Sequence, residues 1–323
     1  RLTDVTGVQT CALPIYRVQA SETNGLLYVL GESGGNPYVI FYNGSAWAQT
    51  AAGLPPGTIF RGLDVVESTG IVYVAGDGGS VWNYNGSWTN MSVTATAENL
   101  NGVIYVDAST TVWAVGDNRT WVNVTTDTLL KTPWPGFNYH LSDVWFDGTD
   151  KYYATCKAPV NEEIPASIIK YNGTSTSTLI FDDDNASFND IHGFSVADFC
   201  AVGNGGKILN YSAGWIWLHR SFVDTLYAIW GFGKSAYAAG DRGCILKYNG
   251  TAWSRMISAK DERFYGIWGA DEKNIYAVGR GGTILKFDGN IWTEQNSTTT
   301  QALYGVRSEE RRGGKVCRAR SSA

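Results

Sequence analysis

The chain is 323 residues long, 44% hydrophobic and 17% charged, with a formal net charge of −5. That length and apolar share allow a sizeable core and exclude wholesale disorder, and eight prolines are too few for a collagen-like or Pro-rich architecture. No apolar run approaches the roughly 18 residues of a membrane-crossing helix, so no direct membrane insertion is expected, and the acidic balance argues against a general nucleic-acid binder.

The first segment, RLTDVTGVQTCALPI (1–15), and the last, RSEERRGGKVCRARSSA (307–323), share neither composition nor pattern with the residues between them. Both resemble translated sequencing-adapter read-through. Setting them aside leaves Tyr16–Val306 as the expected folded domain, part of a longer protein whose own termini are missing. The tails carry +4 between them, so the domain is at −9 and keeps three cysteines, Cys156, Cys200 and Cys244. Three cysteines without paired spacing give neither a disulfide framework nor a zinc site.

The interior repeats with a period near 42 residues, within the range of propeller blades. Copies begin at Tyr16, Phe60, Leu100, His140, Phe188, Leu226 and Phe264, and an eighth start, ALYGV, lies at Ala302. The clearest pair is LYAIWGFGKSAYAAGDRGCILKYNGTAW and FYGIWGADEKNIYAVGRGGTILKFDGNIW. Each copy holds four short strand signals rich in β-branched and aromatic residues. Gly-rich turns such as Gly76–Gly79, Gly203–Gly206, Gly240–Gly243 and Gly279–Gly282 separate the second strand from the third. Asn-Gly or Asp-Gly pairs at Asn43, Asn85, Asn172, Asn249 and Asp288 separate the third from the fourth and suggest tight type I′ hairpins. No 12-residue segment shows a clean 3.6-residue period, so helix should be near absent.

A lone four-stranded meander cannot bury two apolar faces, and radial closure lets neighbours cover them. The expected fold is therefore all-β, a β-propeller of four-stranded antiparallel blades, seven in number, with eight as the alternative. The Trp after the hairpin recurs as Trp47, Trp88, Trp253 and Trp292, with Trp215 or Trp217 in the Phe188 copy, and reads as a packing anchor between blades.

The pattern IWG…IYAVG…GGTILK(Y/F)(N/D)G…W resembles the β-propeller repeats of large bacterial and archaeal surface proteins. More distantly it is similar to photosystem assembly-factor propellers and to kelch repeats. No copy has the Trp-Asp pair of WD repeats, and the sialidase Asp-box is not met. The resemblance spans Tyr16–Val306. It implies a fold and an interaction platform, and leaves activity open.

Candidate chemistry lies where copies break the consensus. Trp145, Trp230 and Trp268 share one slot of the first strand, which His192 fills in the Phe188 copy. The same strand carries Asp64, Asp143 and Asp190 where other copies have Gly102, Ala228 and Gly266. If that strand lines a channel, the three carboxylates face it, although each could instead accept N–H bonds within its own blade. Trp and Asp together suit a sugar, through stacking and hydroxyl hydrogen bonds. The run Asp182-Asp183-Asp184-Asn185, expected on a loop, lacks Ca²⁺-loop spacing, and the insertion Lys157–Ala166 is the best single pointer to a partner surface. No catalytic residue, metal site or cofactor is assigned. Ten N-x-S/T sequons, four of them hairpin turns, fit an extracellular or cell-surface protein. The functional expectation is a non-catalytic module binding a protein or a glycan. A propeller-type polysaccharide hydrolase or lyase and a structural spacer are the alternatives.

Overall fold

The computed structural model describes residues 15–295, apart from 22–25, 34–35, 43–46, 51, 67–68, 108, 131–138, 150, 158–164, 186, 196–197, 213–214 and 220–222. The described residues form seven four-stranded antiparallel sheets, each a meander whose strands pair in chain order. These are the blades of a β-propeller. Their first strands are Ile15–Ser21, Phe60–Val65, Leu100–Val106, His140–Phe146, Phe188–Ser195, Leu226–Phe232 and Phe264–Asp271, which number blades 1 to 7. The only helical turns among the described residues are four three-residue 3₁₀ turns between the second and third strands of blades 2, 3, 5 and 7.

First strands of consecutive blades lie against one another from blade 1 through blade 7, so they form the inner wall. The core is divided accordingly. Six apolar clusters each join two neighbouring blades, for example Val115, Trp121, Leu141 and Tyr152 between blades 3 and 4. Packing is thus an inter-blade property, as the argument from unburied faces requires.

The outer hairpins of blades 2, 6 and 7 carry an aromatic pair across their two strands. Tyr84 pairs with Trp88, Tyr248 with Trp253 and Phe287 with Trp292, at ring separations of 5.1, 5.3 and 5.2 Å. The hairpins are not type I′. They take three or four residues, and only the glycine adopts positive φ, as in Gly86 (80°) and Gly250 (90°). The preceding Asn or Asp instead caps the loop. Asn249 Oδ1 accepts from the backbone of Thr251 and Ala252, and Asp288 Oδ1 from that of Asn290 and Ile291. A short amide or carboxylate that mimics a backbone turn removes the need for a second left-handed residue.

The Asp182–Asn185 run forms the end of a strand, Thr176–Asn185, rather than a loop. Of the Lys157–Ala166 insertion, residues 158–164 lie outside those described, as does the eighth start at Ala302.

Candidate functional site

Each first strand from blade 2 onward carries a β-bulge after its first inward residue. The register skips Arg61, Asn101, Ser142, Asn189, Tyr227 and Tyr265 in turn. A bulge frees one residue from the ladder and re-aims its side chain. Counting Phe60, Leu100, Leu141, Phe188, Leu226 and Phe264 as position 1, the bulged residue is position 2.

In blades 3, 4 and 5 the position-2 side chain donates to the position-1 carbonyl of the next blade. Asn101 Nδ2 reaches Leu141 O (3.0 Å), Ser142 Oγ reaches Phe188 O (2.9 Å) and Asn189 Nδ2 reaches Leu226 O (2.8 Å). Position 3 must be small where inner strands approach closely. A Cβ on Gly62 would meet the Gly102 backbone at 3.1 Å, and one on Gly102 would meet Asp143 at 3.3 Å.

This register corrects one expectation. Asp143 and Asp190 occupy position 3, but Asp64 pairs with Tyr73 and so occupies position 5, the slot of Trp145, His192, Trp230 and Trp268. The three carboxylates therefore do not share one ring. Asp64 Oδ2 accepts the Tyr105 N–H (2.7 Å) and Asp190 Oδ2 accepts the Ile229 N–H (2.9 Å). Both bonds run to the next blade, not within one. Asp143 is buried against Gly102.

The aromatic slot also joins blades. Trp145 lies over Gly193 so closely that a Cβ there would sit 1.7 Å from the indole. Trp230 lies over Gly269 in the same way, with the Trp268 ring 6.3 Å away. His192 fills the slot in blade 5 and bonds the Gly231 carbonyl through Nε2 at 3.2 Å. The recurrent Trp-Gly dipeptide is thereby explained: the glycine of one blade receives the aromatic of the blade before it. Trp230 and Trp268 are only 5% and 8% exposed, so neither offers an open face for stacking a sugar.

The half-exposed polar groups gather elsewhere, at the end of the propeller that carries the Gly-rich turns. There the first turn residue donates its N–H to the residue just before its own first strand, as Asp77 to Ile59, Asp117 to Asn99, Asn204 to Ser187, Asp241 to Thr225 and Arg280 to Arg263. The third turn residue bonds the following blade, as Gly79 to Glu98, Arg119 to Tyr139 and Gly243 to Glu262. The rigid turns hold a rim of charged side chains. Arg61 pairs with Asp77. Asp117 accepts from Asn99, Asn101 and His140 Nδ1, the last at 2.8 Å. Burial opposes ionisation of Asp117, but the donors of Asn101, His140 and Asn99 outweigh it and hold the carboxyl below its ordinary value.

Blades 2, 6 and 7 break the rule at position 2: Arg61 of blade 2 turns to Asp77 of its own blade, and in blades 6 and 7 both residues are aromatic. Tyr227 and Tyr265 replace the small stitching residues, and their rings lie 5.6 Å apart. The Arg263 guanidinium lies over both rings, at 5.3 and 5.8 Å, and its Nε bonds Asp241. Tyr227 Oη donates to Asp241 at 3.3 Å. Burial, then the Asp241 carboxylate, push the Tyr227 hydroxyl above its usual range. Arg263 stays 45% exposed. This cluster of two aromatics, a cation and an anion escaped the sequence reading. Its signal was the change from Asn or Ser to Tyr two residues before each Ile-Trp-Gly.

The three interior cysteines are buried and free, and burial raises their thiols, Cys244 to about 11. Among the described residues no group of three His, Cys, Asp or Glu could hold a metal ion, and no helix is long and apolar enough to cross a membrane. Of the sequons, Asn85, Asn172 and Asn249 stand exposed at hairpins, whereas Asn210 is buried with its amide oxygen on Cys200 Sγ.

No protein-family model matches this chain, and no curated protein matches its sequence. Solved structures do match its fold. A chain in the crystal structure of the mitotic checkpoint complex superposes with a TM-score of 0.57 at 14% identity, covering 72% of this chain and 75% of that one. YCF48 from Cyanidioschyzon merolae gives 0.57 at 13% identity, covering 77% and 88%. Both are propeller-like, in agreement with the distant resemblance to propeller and photosystem assembly-factor repeats.

Proposed function

We propose that the chain is a non-catalytic β-propeller interaction module, a seven-bladed ring, that binds a protein partner on its turn-bearing end through Tyr227, Tyr265 and Arg263. The observation that carries this reading is the division of labour among polar groups. Asp64, Asp190 and His192 spend their bonds on the next blade, whereas Tyr227, Tyr265 and Arg263 bridge blades 6 and 7 by side chains alone and form a part-buried cluster in which Arg263 stays 45% exposed. Tyr and Arg on a rigid scaffold are the residue types that dominate binding energy in protein interfaces. Exposed hairpin asparagines in sequons support an exported or cell-surface setting.

The test is selection of a phage-displayed random 16-residue peptide library against the full chain, followed by affinity measurement on Tyr227→Ser and Tyr265→Ser. Peptides that bind the wild type and lose about tenfold on either variant support the reading. Peptides indifferent to both variants, or none selected, overturn it. A glycan array run beside it measures the competing reading, because Tyr227 and Tyr265 beside Asp241 also suit a sugar ring. Glycan binding lost in the same variants would replace protein with glycan at this site.

A further inference from the structure

Three segments meet beside that cluster on blade 6: Val223–Asp224, Arg242–Gly243 and Arg255–Ser258. Asp224, with its side chain 3% exposed, holds two guanidiniums at once. Its Oδ1 accepts from Arg242 Nε at 2.5 Å, and its Oδ2 from an Arg255 terminal nitrogen at 3.2 Å. The other terminal nitrogen of Arg255 donates to the Arg242 carbonyl at 3.1 Å, and Ser258 Oγ donates to the Gly243 carbonyl at 2.8 Å. One buried carboxylate thus fixes two arginines side by side, while their side chains remain 63% and 51% exposed.

Ion pairing within the fold does not account for this arrangement. One arginine suffices to neutralise Asp224. Arg242 also takes a left-handed backbone, φ 51°, at a turn position where blades 2, 5 and 7 place Gly78, Gly205 and Gly281 and blade 3 places Asn118, a residue type that tolerates this conformation. That conformation is disfavoured for a long side chain that cannot bond its own turn as Asn or Asp can, so the side chain, not the turn, accounts for an arginine here. Asp241, whose field also reaches Arg242, is already bonded to Arg263, and Asp261 is solvent-exposed and screened. Two aliphatic side chains flank the pair, Val223 at 78% and Ile257 at 89% exposure.

We propose that this rim of blade 6 grips a carboxylate side chain on an apolar segment of the partner. The inference rests on the protein-binding reading of this end and narrows the partner to an acidic-hydrophobic segment. Planar guanidiniums pre-set by Asp224 present their free N–H edges to a carboxylate, and Val223 and Ile257 cover the neighbouring apolar residues. On a chain whose net charge is negative, a fixed pair of arginines offers an acidic segment a local attraction.

The probe is a fluorescein-labelled peptide with a Leu-Asp-Glu-Leu core, compared by anisotropy with its Leu-Asn-Gln-Leu counterpart on the full chain. The acidic peptide should bind at least about tenfold tighter, and Arg242→Gln or Arg255→Gln should each remove about tenfold. Asp224→Asn discriminates. It makes the rim more positive but unpins both arginines, so binding should weaken. Should that variant not fold, Arg255→Lys keeps the charge without the planar fork and should weaken binding likewise. Equal binding of the two peptides, no binding of the acidic one, or tightening in Asp224→Asn or Arg255→Lys overturns the proposal. Library peptides that depend on Tyr227 and Tyr265 but not on Arg242 or Arg255 would sink this inference alone and leave the broader reading standing.

Discussion

The joints between blades 3, 4, 5 and 6 and the joint between blades 6 and 7 solve one problem with different chemistry. In the first group, small polar side chains of the bulge bond the next blade's carbonyl, and at the joint of blades 5 and 6 Asp190 and His192 add their own bonds. At the joint of blades 6 and 7, Trp230 packs against Trp268 and Gly269, and the bulge residues are tyrosines held by Arg263. The lesson concerns function. In a repeat fold, an unusual polar residue on an inner strand can be a joint, and the departures that matter are those in which the joint is made by side chains that also reach solvent. Fixed hydrogen bonds suit a seam, while part-buried Tyr beside an exposed Arg suits a contact made and broken.

The largest expected effect breaks the aromatic joint. Trp230→Ala removes a buried indole from between Tyr237 and Trp268 and should cost about 3–5 kcal/mol. His192→Ala, in the same slot one blade earlier, deletes a partly buried ring and one hydrogen bond and should cost about 1–2 kcal/mol. Urea unfolding of the full chain separates the two, and equal losses would mean that the slot does not distinguish them. Next comes the receiving glycine. Gly193→Ala drives a methyl into the Trp145 indole and should cost about 1–3 kcal/mol. Asp190→Ala and Asp64→Ala each leave a neighbour's N–H unpaired and should cost similar amounts, about 1–2 kcal/mol. Stability unchanged in both variants would contradict their role as stitches.

A smaller effect separates rim from seam by pH. The Asp117 carboxyl is held below its ordinary value in the fold. Its contribution is therefore complete above the unfolded value of about 4 and is lost as pH falls through the lower folded value. The urea midpoint of the wild type should exceed that of Asp117→Asn at pH 6, and the gap should narrow by pH 3. A gap that widens on acidification contradicts the network drawn for Asn99, Asn101 and His140.

The blades were legible because most repeat the same punctuation: a Gly-rich turn before the third strand in blades 2, 5, 6 and 7, Asn-Gly or Asp-Gly before the fourth in blades 1, 2, 4, 6 and 7, and a Trp opening the fourth in blades 1, 2, 5, 6 and 7. Helix was absent from the pattern for the same reason. What the pattern hid was the bulge. An extra residue between positions 1 and 3 leaves spacing within a copy unchanged, so nothing in one copy marks it, yet it decides which side chain is released. Asp64 was misplaced because it itself fills the position-5 slot in blade 2, where blades 4 to 7 carry the aromatic or His that fixes the count. Gly62, third from Phe60, was the available marker. The Tyr227, Tyr265 and Arg263 cluster was hidden for a different reason: Arg263 precedes its strand, and the backbone bond from Arg280 to its carbonyl and its side-chain bond to Asp241 place it at the rim.

The smallest effect on stability should accompany the largest on binding. Arg242→Gly gives blade 6 the residue that blades 2, 5 and 7 already use at that turn. The glycine accepts φ near 51° without steric cost, which favours the fold. Against it, Asp224 loses one of two guanidiniums but keeps Arg255 at 3.2 Å, so no buried carboxylate is left unpaired. The two changes oppose each other, and the melting temperature should move by no more than about 3 °C. If Arg242 were present only to hold Asp224, losing it would unfold the rim and lower the melting temperature well beyond that. If it is present for a partner, the protein stays folded and the acidic peptide is lost, because the remaining arginine cannot form the planar pair. Differential scanning calorimetry and peptide anisotropy on one preparation read both quantities. Only the pairing of an intact fold with lost binding supports an arginine kept in a strained turn for what it touches outside the chain.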